Sequence, residues 1–159
     1  MSIVIFSGRV HTGKTTRLIQ WSSQQKNVAG LVMPDIEGCR KIMDIKTNVI
    51  YEAQCIEPEK TKEILIQIGK FYFYKSAFDR ANKLLTDAFK QKPSWLIIDE
   101  IGKLELQEQG FYPSVKKIIV DFQSSSENNK LLLVVRDSMV EEVVSFFKII
   151  EYTVIEQLH

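Results

Sequence analysis

Gly8-Arg9-Val10-His11-Thr12-Gly13-Lys14-Thr15 has the spacing G-x-x-x-x-G-K-[ST] and directly follows the apolar run Ile3-Val4-Ile5-Phe6. After a strand and before a helix, that spacing reads as a phosphate-binding loop. Consecutive backbone N–H groups of a glycine-containing loop point inward and cradle phosphate oxygens, helped by the positive end of the next helix. Lys14 adds a point charge at the β- and γ-phosphates, and the Thr15 hydroxyl is a hard oxygen ligand for Mg²⁺. Gly8, Arg9, Val10, His11, Thr12, Gly13, Lys14, Thr15 and Thr16 are therefore expected to surround a nucleoside triphosphate, with Thr16-Arg17-Leu18-Ile19 opening the helix.

The rest of the chain alternates strand and helix. Lys14 to about Gln25 turns Leu18, Ile19 and Trp21 toward a sheet, and Val28 to Met33 reads as a strand ended by Pro34-Asp35. Arg40–Ile45 and Val49–Glu52, joined by Lys46-Thr47-Asn48, read as an antiparallel hairpin. Between 53 and 75 the pattern is weak: Glu57 to Lys60 suits a loop, while Ile64–Ile68 and Phe71–Tyr74 each suit a strand. Ala77, Phe78, Ala81, Leu84, Leu85, Ala88 and Phe89 recur at helical spacing up to Lys92-Pro93. Trp95–Ile98 and Leu131–Val135 are continuous apolar runs of the kind buried parallel strands need. Val115, Ile118, Ile119 and Phe122 mark one helix, Val140, Val143, Val144 and Phe147 another, and Ile149 to Ile155 is expected to close the sheet. The expected fold is a three-layer α/β domain over residues 1–159, mostly parallel, with helices on both faces and an inserted antiparallel hairpin. Ligands of such sheets sit outside the carboxyl ends of the strands.

Composition narrows the function. The 159 residues suit one domain, and 45% hydrophobic with 26% charged residues is ordinary for a folded soluble chain. A net charge of +1 with mixed signs offers no basic stripe for nucleic acid. The apolar runs are too short for a bilayer, and Met1-Ser2-Ile3-Val4 enters the first strand at once, so a cytoplasmic location is expected. Cys39 and Cys55 have neither metal-ligand spacing nor a C-x-x-C pairing and are expected to be reduced thiols.

The second motif is Ile97-Ile98-Asp99-Glu100, two acids at the end of a buried strand. Asp99, emerging first, is expected to hold Mg²⁺ through its water shell. Glu100, one residue on, is expected to orient the water behind the γ-phosphate; positioning outweighs full proton removal in such a loose transition state.

Asp99-Glu100-Ile101-Gly102-Lys103-Leu104-Glu105-Leu106, together with the N-terminal loop and the short length, resembles the signature of the cancer-related nucleoside-triphosphatases. These are small P-loop proteins with relatives in thermophilic prokaryotes. The resemblance implies a P-loop NTPase fold and Mg²⁺-dependent hydrolysis of several nucleoside triphosphates with little base selectivity. It carries over to Lys14, Thr15, Asp99 and Glu100. His11 stands where the family's loop usually has glycine, and either contacts the γ-phosphate or points to solvent.

Arg136, after the Leu131–Val135 strand, either neutralises charge on the γ-phosphate or pairs with Asp137. Lys103 and Glu105 either orient Glu100 or the nucleotide, or form the exposed face of a turn. Two other functions compete. A small-molecule or nucleotide kinase shares the loop, but usually has a lid with clustered arginines. The five here, Arg9, Arg17, Arg40, Arg80 and Arg136, are scattered. The other is a nucleotide-dependent switch or binding module with a protein partner; its guanine-specific form needs an N-K-x-D-type reader, and Asn82-Lys83-Leu84-Leu85 lacks the aspartate.

Overall fold

A computed structural model of the chain describes residues 2–9 and 13–159. In chain order the elements are β1 (Ser2–Gly8), α1 (Lys14–Gln24), β2 (Val28–Val32), β3 (Asp35–Ile36), β4 (Cys39–Asp44), β5 (Ile50–Glu52) and β6 (Gln54–Cys55). Then come β7 (Leu65–Ile68), β8 (Phe71–Tyr74), α2 (Lys75–Lys90), β9 (Trp95–Ile101) and the single turn α3 (Lys103–Leu106). The chain finishes with α4 (Tyr112–Ser124), β10 (Lys130–Arg136), α5 (Val140–Phe146) and β11 (Thr153–Ile155).

The main sheet runs β11-β1-β10-β9-β2-β4-β3, with β5 on the far side of β4. Pairings from β11 to β2 are parallel, and β4 joins β2 antiparallel. The expected hairpin is β4–β5, in register Lys41 to Glu52 and Met43 to Ile50. The weakly patterned region forms a separate antiparallel sheet, β6-β8-β7, so both runs there are strands. The closing strand is shorter than expected. Ile149 is buried in the core, Ile150 is 81% exposed, and only Thr153–Ile155 pairs with β1.

Residue alternation along the strands builds two apolar layers. Ile3, Ile5, Leu31, Ile98, Leu131, Leu133 and Val135 face the larger one, under α2, α4 and α5. Phe6, Val32, Ile97, Leu132 and Val134 face the smaller one, where Leu18 of α1 packs. Helices lie on both faces, unequally. At roughly 2 kcal/mol for each large side chain fully buried, the firmer anchor is the α2–α4 face, where Phe78, Leu85, Val115, Ile118 and Phe122 are all buried. Helix α2 stops at Lys90 because Pro93 follows and Lys92 has a positive φ of 51°.

Two backbone features hold the sheet's carboxyl edge. Gly30 of β2 has φ 123°, and a Cβ there would lie 2.0 Å from the Ile97 carbonyl oxygen of β9. Opposite β10, strand β9 carries one extra residue: Leu133 pairs with Ile98, yet Val135 pairs with Ile101. That bulge leaves Ile98 and Ile101 facing the same layer although they are three residues apart.

Glu105 is not part of an exposed turn; it is buried, at 2% exposure. Its Oε2 accepts from the Gly102 N–H at 2.9 Å and its Oε1 from the Phe111 N–H at 3.0 Å. It thus ties the end of β9 to the start of α4, while Lys103 is exposed. Burial pushes the Glu105 carboxyl from 4.5 up to about 7.

Gly30→Ala is expected to lower unfolding free energy in urea by more than about 2 kcal/mol, since both φ and the β9 backbone oppose a side chain. Glu105 holds its proton more tightly folded than unfolded, so its contribution is full below pH 4.5 and lost as pH rises through about 7. Urea titrations across that window should show a decline in the native chain that Glu105→Gln lacks. At pH 5 the variant should be less stable by about 1–3 kcal/mol, because its amide nitrogen cannot accept a hydrogen bond as the second oxygen of the protonated carboxyl can.

Candidate active site

Gly13 adopts φ 73°, ψ 26° and hands the chain directly to α1. Among the described residues a Cβ there would meet nothing within 4 Å, and glycine suits this left-handed backbone. One turn of helix then sets Lys14 and Thr15 beside the end of β1. The Lys14 ammonium donates to the Gly8 carbonyl at 3.1 Å and the Arg9 carbonyl at 2.7 Å, which holds it across the mouth of the loop. Val10, His11 and Thr12, expected to line the phosphates, lie outside the described residues.

Strand β9 brings the acids from the other side, with β10 between it and β1. The Thr15 hydroxyl donates to Asp99 Oδ2 at 2.8 Å, and the Met33 N–H donates to the same oxygen at 3.1 Å. Asp99 is 1% exposed, and its other oxygen, Oδ1, is buried with no hydrogen-bond partner among the described residues. Burial pushes this carboxyl up to about 6, against the two hydrogen bonds that stabilise its charge. A threonine hydroxyl beside a carboxylate oxygen that lacks a partner is a hard oxygen donor set of the kind Mg²⁺ takes, directly or through its waters.

A cavity of about 200 Å³ is lined by Gly13, Lys14, Thr15, Thr16, Asp99, Glu100 and Arg136, together with Ile19, Pro34, Asp35 and Arg40. Every expected site residue in that first group therefore meets its partners across one space. Gly8 and Arg9 begin the loop; Gly8 ends β1 and Arg9 is exposed.

Arg136 pairs with Glu100 rather than with Asp137: its Nε donates to Glu100 Oε1 at 2.9 Å. Asp137 Oδ1 instead accepts from the Ser138 N–H. A second guanidinium, Arg40, sits with Nη2 3.8 Å from Glu100 Oε2, while its Nη1 donates to the Met33 carbonyl at 2.9 Å. Two of the five arginines thus converge on one carboxylate, a clustering hidden by their separation along the chain. Arg40 was not among the expected site residues. The only cue was its place at the start of β4, just after the Pro34-Asp35 break that ends β2.

Asn82 is fully used inside the fold. Its amide donates to the Phe78 and Gly110 carbonyls, and its oxygen accepts from the Ser114 N–H and hydroxyl. It reads no base. Cys39 and Cys55 are free thiols. Among the described residues, no helix is long and apolar enough to cross a membrane.

Known proteins are similar to this chain in sequence and in fold. Nucleoside-triphosphatase THEP1 of Thermotoga petrophila is 27% identical over 143 residues, 89% of this chain and 78% of that protein. The protein of the same name from Thermotoga maritima is 26% identical over 141 residues, 88% of this chain and 79% of that one. Among solved structures, THEP1 from Aquifex aeolicus superposes with a TM-score of 0.72 at 21% identity, covering 98% of this chain and 89% of that one. A human cancer-related nucleoside triphosphatase superposes with a TM-score of 0.66 at 20% identity, covering 99% of this chain and 90% of that one. These two likenesses bear out the three-layer P-loop fold. The sequence profile of the family described as NTPase matches residues 3–157, so the chain belongs to the NTPase family.

Proposed function

We propose that this chain hydrolyses nucleoside 5′-triphosphates to the diphosphate and phosphate, with Mg²⁺ and little selectivity for the base. The observation that carries the reading is the Thr15–Asp99 hydrogen bond with Asp99 Oδ1 left over beside it. It joins the phosphate loop to the acid strand around a hard-oxygen donor set, within reach of Glu100. The names of the THEP1 relatives and of the family support the same activity.

Each residue has one task. The Gly13–Lys14–Thr15 backbone and the first turn of α1 receive the β- and γ-phosphates. Lys14 exchanges its loop carbonyls for phosphate oxygens and neutralises their charge. Thr15 and Asp99 hold Mg²⁺, whose bound charge offsets the negative charge on the phosphates. Arg136, which lines the same cavity as Lys14 and Thr15, neutralises the charge that builds on the γ-phosphoryl group. As the phosphate draws this guanidinium, Glu100 is released to accept a hydrogen bond from the attacking water and hold it in line. Recognition rests on phosphates and metal, so the base contributes little.

Phosphate release from ATP, GTP, CTP and UTP should proceed at comparable, slow rates. Lys14→Ala should reduce it about a hundredfold or more by removing charge stabilisation. Glu100→Gln should bind nucleotide as the native chain does yet turn over about a hundredfold more slowly; native turnover in that variant would remove Glu100 from the chemistry. Arg136→Ala should lower kcat by about tenfold to a thousandfold with little change in nucleotide affinity.

A further inference from the structure

A second, larger cavity of about 620 Å³ adjoins the nucleotide cavity. It shares Asp35, Arg40, Glu100 and Arg136 with its neighbour but takes nothing from the described residues of the phosphate loop. Hydrolysis needs room there for one water, about 30 Å³. A space of roughly 300–1,000 Å³ is what metabolite-sized ligands occupy, so the size of this one is unexplained by water attack.

Its lining is of two kinds. Phe73, Phe78 and Phe111 form an edge-to-face series, with ring centroids 5.9 Å and 5.1 Å apart, and all three are buried. At the rim, Phe71 is 45% exposed, with the Lys70 ammonium 5.4 Å from its ring centroid. The charges are unequal. Lys70 and Lys103 join Arg40 and Arg136 around the opening, whereas Glu100 is already paired with both arginines and Glu105 accepts two backbone hydrogen bonds. Asp35 is the remaining acid in the lining.

We propose that this cavity is a second ligand site, taking a small molecule with a flat aromatic body and an anionic group. The exposed Phe71 ring, backed by the buried Phe73, receives the body, and the anion faces Arg40 and Arg136. An anion there competes with Glu100 for the two guanidiniums, so the second ligand sits against the wall that the γ-phosphate meets from the other side. Binding follows from the cavity alone; its coupling to turnover rests on the reading of Glu100 as the water-orienting carboxylate.

Anilinonaphthalene sulfonate, an aromatic anion whose emission rises in apolar surroundings, is a suitable probe. It should be titrated into the full chain with Mg²⁺ and a saturating non-hydrolysable ATP analogue present. One dye per chain should bind. Lys70→Glu and Phe71→Ala, both at the exposed rim, should each weaken it about tenfold, through lost charge attraction and lost aromatic contact. Phosphate release without dye should be unchanged in both variants. Absence of binding, stoichiometric displacement by the nucleotide analogue, or native dye affinity in both variants would each overturn the proposal. Dye binding of the expected kind in a native chain that releases no phosphate would uphold the second site and remove the hydrolase reading instead.

Discussion

The site depends on one hydrogen bond, from the Thr15 hydroxyl to Asp99 across 84 residues of chain. It is a bond to a buried carboxylate, which has the strength of a charge-assisted contact and leaves little freedom in where either partner sits. Through it, the first turn of α1 is located relative to β9, although β10 stands between the two strands that carry the motifs. The Met33 N–H on the same oxygen extends the constraint to the end of β2. The first turn of α1 and the carboxyl ends of β2 and β9 are thereby brought to a common point, and the remaining geometry of the site is measured from it.

The antiparallel extension beyond β2 completes what the parallel core begins. Strand β4 carries Arg40 back over the strand ends, and the Gln54 side chain accepts from the Arg40 backbone N–H at 3.0 Å, which holds that part of the strand. The three-stranded sheet β6-β8-β7 then walls the space beyond with Phe71 and Phe73. The arginines that a closing lid would supply in a kinase are here drawn from strands β4 and β10. Glu100 lies between them, common to two cavities of different character.

Much of this was legible from residue order. Gly8 to Thr15 after an apolar strand, and Asp99-Glu100 at the end of another, are local patterns readable from spacing, and the fold brings Gly13, Lys14 and Thr15 to the two acids. The β4–β5 hairpin and the long α2 were legible for the same reason, since period and turn residues are local. Arg40 was not, because its role is created by pairing across strands and nothing near it in sequence names Glu100 as its partner. Neither reading open for Glu105, orienting Glu100 or the nucleotide or facing solvent on a turn, included its enclosure by two backbone N–H groups, because nothing local in Gly102-Lys103-Leu104-Glu105 signals it. Ile149 and Ile150 looked like strand residues by hydrophobicity alone, but Ile149 serves the core and pairing begins only at Thr153.

The extra residue in β9 has a consequence for how such a site could arise or be moved. In a pleated strand of strict two-residue repeat, adjoining side chains go to opposite faces, and only one of two consecutive acids could look over the triphosphate pocket. The slip between Leu133–Ile98 and Val135–Ile101 relaxes that rule, and both Asp99 and Glu100 line one space. Grafting the acidic pair onto a sheet of regular pleat would carry the letters of the motif while sending one carboxylate into the hydrophobic layer.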